Sequence, residues 1–164
     1  MASDSIHTHH IPVRWSDFDR YGHIMNANYV EIAQEARLAF AEDKFYSQDI
    51  DFAAFVRHLD VDFRKPIEPE GNAELLVESQ VVEVRNTSFV TRQEIKDKHG
   101  RTACVVECVQ VAVDLDTQTP RSLTEQEREI LLNIGQPKDE EKQPAAQPEA
   151  ADTELGLGEI GYDD

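Results

Sequence analysis

Apolar and polar positions along the first third of the chain predict one strand followed by one long helix. From His7 to Trp15 apolar residues alternate with polar ones, as in a strand with one solvated face. Pro12 favours an edge position or a bulge, because proline cannot donate to a sheet ladder. Between 27 and 45 apolar residues recur every three or four positions, which is the period of an α-helix. This apolar stripe is wide, so we expect a helix that is largely covered by other structure.

The rest of the pattern is mostly that of strands. Residues 49–56 predict a short helical or irregular connector. Four β-like runs follow, at 59–65, 74–84, 89–96 and 101–115. The segment 123–134 predicts a short amphipathic helix, with Thr124 as N-cap and Glu127 completing a capping box. Strands joined by short turns pair antiparallel, so we expect an α+β fold in which a curved antiparallel sheet of about five strands wraps the long helix.

The C-terminal segment 136–164 has a different character, because it is rich in Pro, Ala, Gln and acidic residues. Such a composition predicts a disordered acidic tail. We therefore expect one domain over 1–135 and a tail over 136–164 whose deletion leaves fold and activity intact. A curved sheet of this kind exposes its edges, which favours pairing with a second copy as a homodimer or a dimer of dimers.

Composition narrows the classes of partner. The chain has 164 residues and a net charge of -17, which disfavours nucleic acid and anionic membranes as partners. No apolar run approaches the roughly 18 residues that a membrane span requires. The N-terminus has neither a basic start nor an apolar stretch, so the expected location is cytoplasmic. Cys104 and Cys108 lie in an apolar strand pattern and are predicted to be reduced core thiols.

Candidate chemistry is concentrated in the segment RWSDFDRYGHIMNANY, from Arg14 to Tyr29. It brings Asp17, Asp19 and His23 next to the predicted helix start, with Asn26 or Asn28 as a candidate N-cap. A helix N-terminus has unpaired N–H groups and partial positive charge, so it stabilises a developing oxyanion. A neighbouring carboxylate supplies a nucleophile, or a base that activates water, against a polarised carbonyl.

A metal site is an alternative use of the histidines. His7 and His9 share a strand face, His10 follows them, and His23 lies downstream. No Cys/His pair or acidic ligand cluster follows at metal spacing, so neither a metal nor another cofactor is predicted.

The same segment resembles the signature of the hotdog-fold acyl-CoA thioesterases of the 4-hydroxybenzoyl-CoA thioesterase type, R-x-x-D/S-D-x-D-x-x-G-H-V-N-N-x-x-Y. The positions in register are Arg14, Asp17, Asp19, Gly22, His23, Asn26 and Tyr29. Met25 replaces the first Asn of the Asn-Asn pair. The resemblance continues more weakly through residues 61–66, 85–89 and 120–124.

This resemblance implies a hotdog fold whose dimer carries two active sites at its interface. The implied reaction is hydrolysis of an acyl-CoA thioester to a free acid and CoA. Asp19 corresponds to the family's catalytic carboxylate, a nucleophile or a general base. A backbone amide near Asn26 would polarise the carbonyl, and His23 would orient the loop or contact the substrate.

The resemblance also implies a set of substrate-binding residues, which are Asp17, Gly22, Tyr29, Arg64, Arg85, Ser88 and Phe89. Among them Arg85 is the first candidate for the CoA phosphates, with Arg64 and Lys65 behind it. Two other functions stay open: a module that binds acyl thioesters without turnover, and a hotdog dehydratase or hydratase. The acyl chain length is not predictable from these residues.

Overall fold

The computed structural model of the protein describes residues 6–133, so the predicted tail at 136–164 lies outside the described residues. The helices are α1 (Asn26–Lys44) and α2 (Glu125–Leu132), with 3₁₀ turns at Trp15–Asp17 and Tyr46–Gln48. The strands within this range are β1 (His7–Pro12), β2 (Ala54–Phe63), β3 (Glu74–Val84), β4 (Ser88–Lys96), β5 (Thr102–Asp114) and β6 (Thr119–Pro120).

The strands form one antiparallel sheet with the order β1-β3-β4-β5-β2, and the two-residue strand β6 pairs with β5. β1 pairs with β3, and β2 pairs with β5, so β1 and β2 lie at the two edges. Pro12 ends β1 at one of these edges, as its missing N–H predicts.

Helix α1 packs into the concave side of this sheet. Small side chains on its buried face, Ala33 and Ala36, allow a close approach to the strands. Together with Ile32 they join a core that includes residues of β3, β4 and β5. A second cluster closes the other end of the helix, where the rings of Phe45 and Phe52 stack at a centroid distance of 4.1 Å. Cys104 and Cys108 are free, buried thiols, as predicted.

Some expectations about the elements were wrong. The segment 49–56 is not a connector throughout, because β2 already begins at Ala54. The first half of this edge strand is largely exposed, so it lacks the alternation of apolar buried and polar exposed residues by which a strand is predicted. Helix α1 begins at Asn26, and its N-cap is Met25, without a side-chain cap. Strand β6 was missed because it has only two residues.

Candidate active site

The loop between the first 3₁₀ turn and α1 is closed by backbone hydrogen bonds. The Met25 N–H donates to the Asp17 carbonyl at 2.8 Å, and the Asp19 N–H donates to the His23 carbonyl at 2.7 Å. Gly22 makes the turn with a φ of 75°, in the left-handed region that favours glycine. The loop therefore holds Asp19 and His23 opposite each other, immediately before the helix.

Asp17 is buried, and both of its carboxylate oxygens accept hydrogen bonds. Oδ1 accepts from the Arg14 guanidinium at 3.0 Å and from the Asn28 side chain at 2.6 Å. Oδ2 accepts from the Arg14 N–H at 2.7 Å. Burial alone would raise the pKa of Asp17, but these hydrogen bonds outweigh it and hold the pKa below its usual range. Asp17 is thus an ionised group that fixes the loop to the first turn of α1.

Asp19 is half-buried, and its two oxygens differ. Oδ1 accepts from the Tyr21 N–H at 2.8 Å and from the His23 N–H at 3.1 Å. No hydrogen bond to Oδ2 occurs within residues 6–133. One oxygen of Asp19 therefore fixes the position of the carboxylate, and the other is available to a ligand.

The start of α1 offers free amides to the same region. The N-cap residue Met25 has no side-chain oxygen to cap them, and its carbonyl accepts from the Asn28 N–H at 2.9 Å. The N–H groups of Asn26 and Ala27 have no acceptor in the described part of the chain. Unpaired amides at a helix N-terminus are suitable donors to an oxyanion.

A cleft of about 240 Å³ contains both Asp19 and the helix start. Its lining combines the loop, the first turns of α1 and the end of β2, namely Asp19, His23, Ile24, Asn26, Tyr29, Phe63, Arg64, Lys65 and Pro66. The Asp19 carboxylate residue, the first residue of α1 and two aromatic residues thus line one cleft. This combination suits a carbonyl substrate with an apolar substituent.

Most of the residues predicted from the motif line this cleft or shape it. His23 and Asn26 line it, whereas Gly22 only forms the turn. Tyr29 is buried, and its ring packs edge-to-face on Phe63 at 5.7 Å. Burial raises the pKa of the Tyr29 hydroxyl to about 12, so it stays protonated at neutral pH.

The predicted substrate-binding residues that follow the motif do not all lie at the Asp19 cleft. Arg64 lines the cleft and forms an ion pair with Asp62 at 2.8 Å. Arg85 lies beyond the end of β3 and holds Glu83 through two hydrogen bonds of 2.8 Å. Ser88 and Phe89 are buried at the start of β4. Within one protomer, Arg85, Ser88 and Phe89 do not line the Asp19 cleft.

Sequence reasoning missed roles for Arg14 and Asn28. Arg14 belongs to the motif but was given no role. Its guanidinium donates to Asp17 at 3.0 Å and to Glu31, on α1, at 2.7 Å. Asn28 was one of two candidate N-caps, but the N-cap is Met25, and the Asn28 side chain donates to Asp17. A loop separates Asp17 from Asn28, so the spacing of the two residues in the sequence does not predict their contact.

Two other kinds of site find little support. Within residues 6–133 no three His, Cys, Asp or Glu side chains are grouped so that they would hold a metal ion. The His7 imidazole instead bonds Asp43 at 2.7 Å. Burial raises the pKa of the Cys104 thiol to about 12, which makes it a poor nucleophile.

None of the helices in the described range is both long and apolar enough to cross a membrane.

Comparisons with solved structures identify the architecture. The YbaW probable thioesterase from Escherichia coli has 26% identity and a TM-score of 0.66, covering 79% of this chain and 98% of that one. A thioesterase from Thermus thermophilus complexed with coenzyme A and Zn has 22% identity and a TM-score of 0.69, covering 84% and 99%. A 1,4-dihydroxy-2-naphthoyl-CoA thioesterase from Synechocystis has 17% identity and a TM-score of 0.66, covering 80% and 99%.

These similarities, with a curled sheet around α1, confirm the predicted hotdog fold. No significant match was found among curated proteins. The family model described as the thioesterase-like superfamily matches residues 13–152, which include the whole Asp19 cleft. The chain belongs to the thioesterase-like superfamily.

Proposed function

We propose that this protein hydrolyses acyl-CoA thioesters to a free carboxylic acid and CoA, with Asp19 as the catalytic carboxylate. The observation that carries the proposal is the asymmetry of Asp19 within its cleft. Its Oδ1 is held by two loop amides and its Oδ2 is free within the described residues, and the cleft that Asp19 lines also includes Asn26 at the uncapped start of α1. Membership of the thioesterase-like superfamily supports this use of the cleft.

The reaction needs few parts, because a thioester is an activated acyl donor. As a general base, Asp19 takes a proton from water, and the resulting hydroxide attacks the thioester carbonyl carbon. The carbonyl oxygen becomes an oxyanion, to which the amides of Asn26 and Ala27 donate. The C–S bond then breaks, and the departing CoA thiolate takes the proton from Asp19. As a nucleophile, Asp19 would instead form an acyl anhydride with loss of the thiolate, and water would then hydrolyse it.

The other cleft residues have supporting roles in this proposal. Asp17 and Gly22 set the loop that carries Asp19 rather than contact the substrate. His23 faces the cleft and contacts the thioester region of the substrate. Tyr29 and Phe63 provide the apolar wall against the acyl group. Arg64 lies at the mouth, where it contacts the CoA portion.

We also propose that the active form is a homodimer or a dimer of dimers. The edge strand β2 exposes Phe55, Val56 and Phe63, each about half accessible at 47%, 48% and 48%. A groove of about 680 Å³ runs between β2 and α1 and is lined in part by Phe55 and Val56. Exposed apolar side chains on an unpaired edge favour association with a second copy. Since Phe63 also lines the Asp19 cleft, such a contact would complete the acyl pocket from the partner subunit.

A substrate screen tests the reaction. The full-length protein is mixed with aromatic, short-chain and long-chain acyl-CoAs, and free thiol is measured with a thiol-reactive dye. We expect release of one equivalent each of CoA and of carboxylic acid for at least one class, identified by mass spectrometry. A calorimetric titration that shows binding of acyl-CoA without any turnover would instead favour a non-catalytic binding module.

A further inference from the structure

A second hollow adjoins the Asp19 cleft and shares Lys65 and Pro66 with it. Its volume is about 320 Å³. One wall is formed by residues 65–68 and Asn72, and the other by the turn between β4 and β5, at 97–101. A ligand that reaches Asp19 therefore has an adjacent place for a second group.

The two walls of this hollow are fixed to each other by buried polar groups. Asn72 is 4% exposed, and its side chain donates to the Glu68 carbonyl at 2.8 Å and accepts from the Lys98 N–H at 2.9 Å. Asp97 accepts from the N–H groups of His99 and Arg101 at 2.9 and 3.0 Å. The hollow is thus held in shape before any ligand binds, which lowers the entropic cost of binding.

The cationic groups of the hollow retain donors for a ligand. The Lys98 ammonium donates to a neutral acceptor, the Glu70 carbonyl, at 2.8 Å. Arg101 uses its Nε on Asp97 at 2.9 Å, which leaves its two terminal nitrogens for other acceptors. The Lys65 ammonium has no carboxylate within ion-pair distance in the described residues. The exposed His99 ring adds a further donor.

In this hollow and in the adjoining Asp19 cleft, cations outnumber carboxylates, although the protein as a whole is strongly acidic. The hollow's cations Lys65, Lys98 and Arg101 outnumber its carboxylates, Glu68 and Asp97. In three other hollows on the described surface, the carboxylates outnumber the cations. With a net charge of -17, the chain repels an anionic ligand overall. A local positive site is therefore needed wherever such a ligand binds.

Arg85, the first candidate from the sequence, is less well placed for this task. Its Nε and one terminal nitrogen hold both oxygens of Glu83, which occupies the fork that would grip a phosphate. Within the protomer it lies outside the Asp19 cleft and the adjoining hollow.

We propose that the hollow between residues 65–72 and 97–101 binds the phosphate groups of the 3′-phospho-ADP end of CoA, through Lys65, Lys98 and Arg101. This proposal rests on the proposed function, since it places the thioester of the same molecule in the Asp19 cleft. Lys65 lies at the junction of the two sites and contacts the diphosphate. Lys98 and Arg101 contact the phosphates farther from the thioester.

Binding is measured by calorimetry on the full-length protein with CoA, adenosine 3′,5′-bisphosphate and pantetheine. We expect CoA and the bisphosphate to bind and pantetheine to bind more weakly. The double variant Lys98→Gln/Arg101→Gln should weaken CoA and bisphosphate about tenfold, because each exposed cation–phosphate contact is worth up to about fivefold. The effect should shrink as salt is raised.

Two further variants serve as comparisons. Lys44→Gln/Arg92→Gln removes the same number of positive charges elsewhere and should change CoA affinity less than twofold. Arg85→Gln tests the rival site. The proposal is overturned if Lys98→Gln/Arg101→Gln leaves the affinity for CoA unchanged, whatever the effect of Arg85→Gln, or if the charge-matched variant has the same effect as the double variant. Should the double variant fold poorly by circular dichroism, Lys65→Gln alone should weaken CoA binding, and an unchanged affinity would overturn the proposal.

Kinetics separate this proposal from the proposed function. The ratio of kcat/KM for acyl-CoA to kcat/KM for the matching acyl-pantetheine should fall about tenfold in Lys98→Gln/Arg101→Gln. An unchanged ratio with active enzyme would contradict the nucleotide site alone. Absence of thiol release from both thioesters would contradict the hydrolase, and the calorimetric comparison would still decide the binding site.

Discussion

Two carboxylates two residues apart have opposite environments in this protein. Asp17 is buried with every oxygen occupied, whereas Asp19 keeps one oxygen free of any partner within residues 6–133, in a cleft. A carboxylate saturated by a guanidinium and an amide is stabilised as an anion and is a weak base. A carboxylate with a free oxygen, as at Asp19, has a position from which it can accept a proton or attack a carbonyl carbon. The different environments, and not the residue type, therefore support a structural role for Asp17 and the proposed catalytic role for Asp19.

Replacement of Asp17 by Asn should lower the free energy of unfolding, because Asp17 holds the loop and does not take part in the proposed reaction. The variant loses charge-assisted hydrogen bonds and leaves the Arg14 guanidinium without one partner. We expect a loss of about 2 kcal/mol in the free energy of unfolding. Urea unfolding followed by circular dichroism measures it, and a stability equal to that of the wild type would contradict the role given to Asp17.

At this scale the motif predicted which residues lie together in the candidate site but not the contacts between them. Asp19, His23 and Asn26 follow from a local segment, because a loop before a helix brings its own residues together. The partners of Asp17 and the pairing of Arg85 with Glu83 depend on side-chain directions that spacing does not give. The basic hollow joins two segments that are well separated in sequence, and it depends on how the β4–β5 turn packs against the loop after β2.

At the scale of elements, a buried polar link joins α1 to the sheet. The Arg37 guanidinium donates to the side-chain oxygen Oε1 of Gln93, on β4, at 2.9 Å. The Gln93 amide in turn donates to the Ala33 carbonyl at 3.0 Å and to Ser79 at 3.1 Å. Burial lowers the pKa of Arg37, which no carboxylate within ion-pair distance neutralises in the described residues. The link thus fixes the position of the helix on the strands through hydrogen bonds alone.

A double-mutant cycle measures this link. Gln93→Leu leaves a buried cation without its acceptor, so we expect a loss of about 3 kcal/mol in the free energy of unfolding. Adding Arg37→Met removes the cation and should restore at least part of that stability. Chemical unfolding of both single variants and the double variant gives the coupling energy. Additive losses would show that the two side chains do not depend on each other.

Helix α2 confirms the predicted capping box. Thr124 accepts from the Glu127 N–H at 3.1 Å, and Glu127 accepts from the Thr124 N–H at 3.2 Å. Glu127 also binds the Arg121 guanidinium through both oxygens, at 2.7 and 2.9 Å. Burial alone would raise the pKa of Glu127, but Arg121 and Thr124 hold the pKa below its usual value.

The lowered pKa of Glu127 gives stability a defined pH dependence. The stabilisation is present above the usual glutamate pKa of 4.5 and is lost as pH falls below it toward the folded-state pKa. We expect Glu127→Gln to melt at a lower temperature than the wild type at pH 7, and the difference to shrink below about pH 4. Thermal melts across this range measure it, and a difference that is constant with pH would contradict the assignment.

At the scale of the whole molecule, the two edges of the sheet differ in character. β1 ends in a proline at one edge, whereas β2 exposes phenylalanine and valine at the other. The pattern predicted that edges exist, since a curved sheet of this length does not close. Which edge would pair with a second copy could not be predicted, because the exposed start of β2 was not predicted as a strand.

A charge on β2 tests the proposed dimer. Phe55→Glu places a carboxylate in the groove beside α1 and should shift the protein toward monomer in sedimentation velocity, because burying an unpaired charge is costly. Activity should fall with it if the partner completes the pocket. The matched control is Leu115→Glu, an exposed apolar residue in the turn after β5, which should leave the assembly unchanged. Equal sedimentation of Phe55→Glu and wild type would contradict the β2 interface.

The central claim is that the free oxygen of Asp19 performs the chemistry, and single-turnover thiol release by Asp19→Asn tests it most directly. Asn preserves the shape and can still accept from the loop amides through its carbonyl oxygen, so folding should be unaffected. Loss of the base or nucleophile should slow release by about 10²–10⁴-fold at saturating acyl-CoA. A rate within a few-fold of the wild type, with the variant folded, would contradict the account.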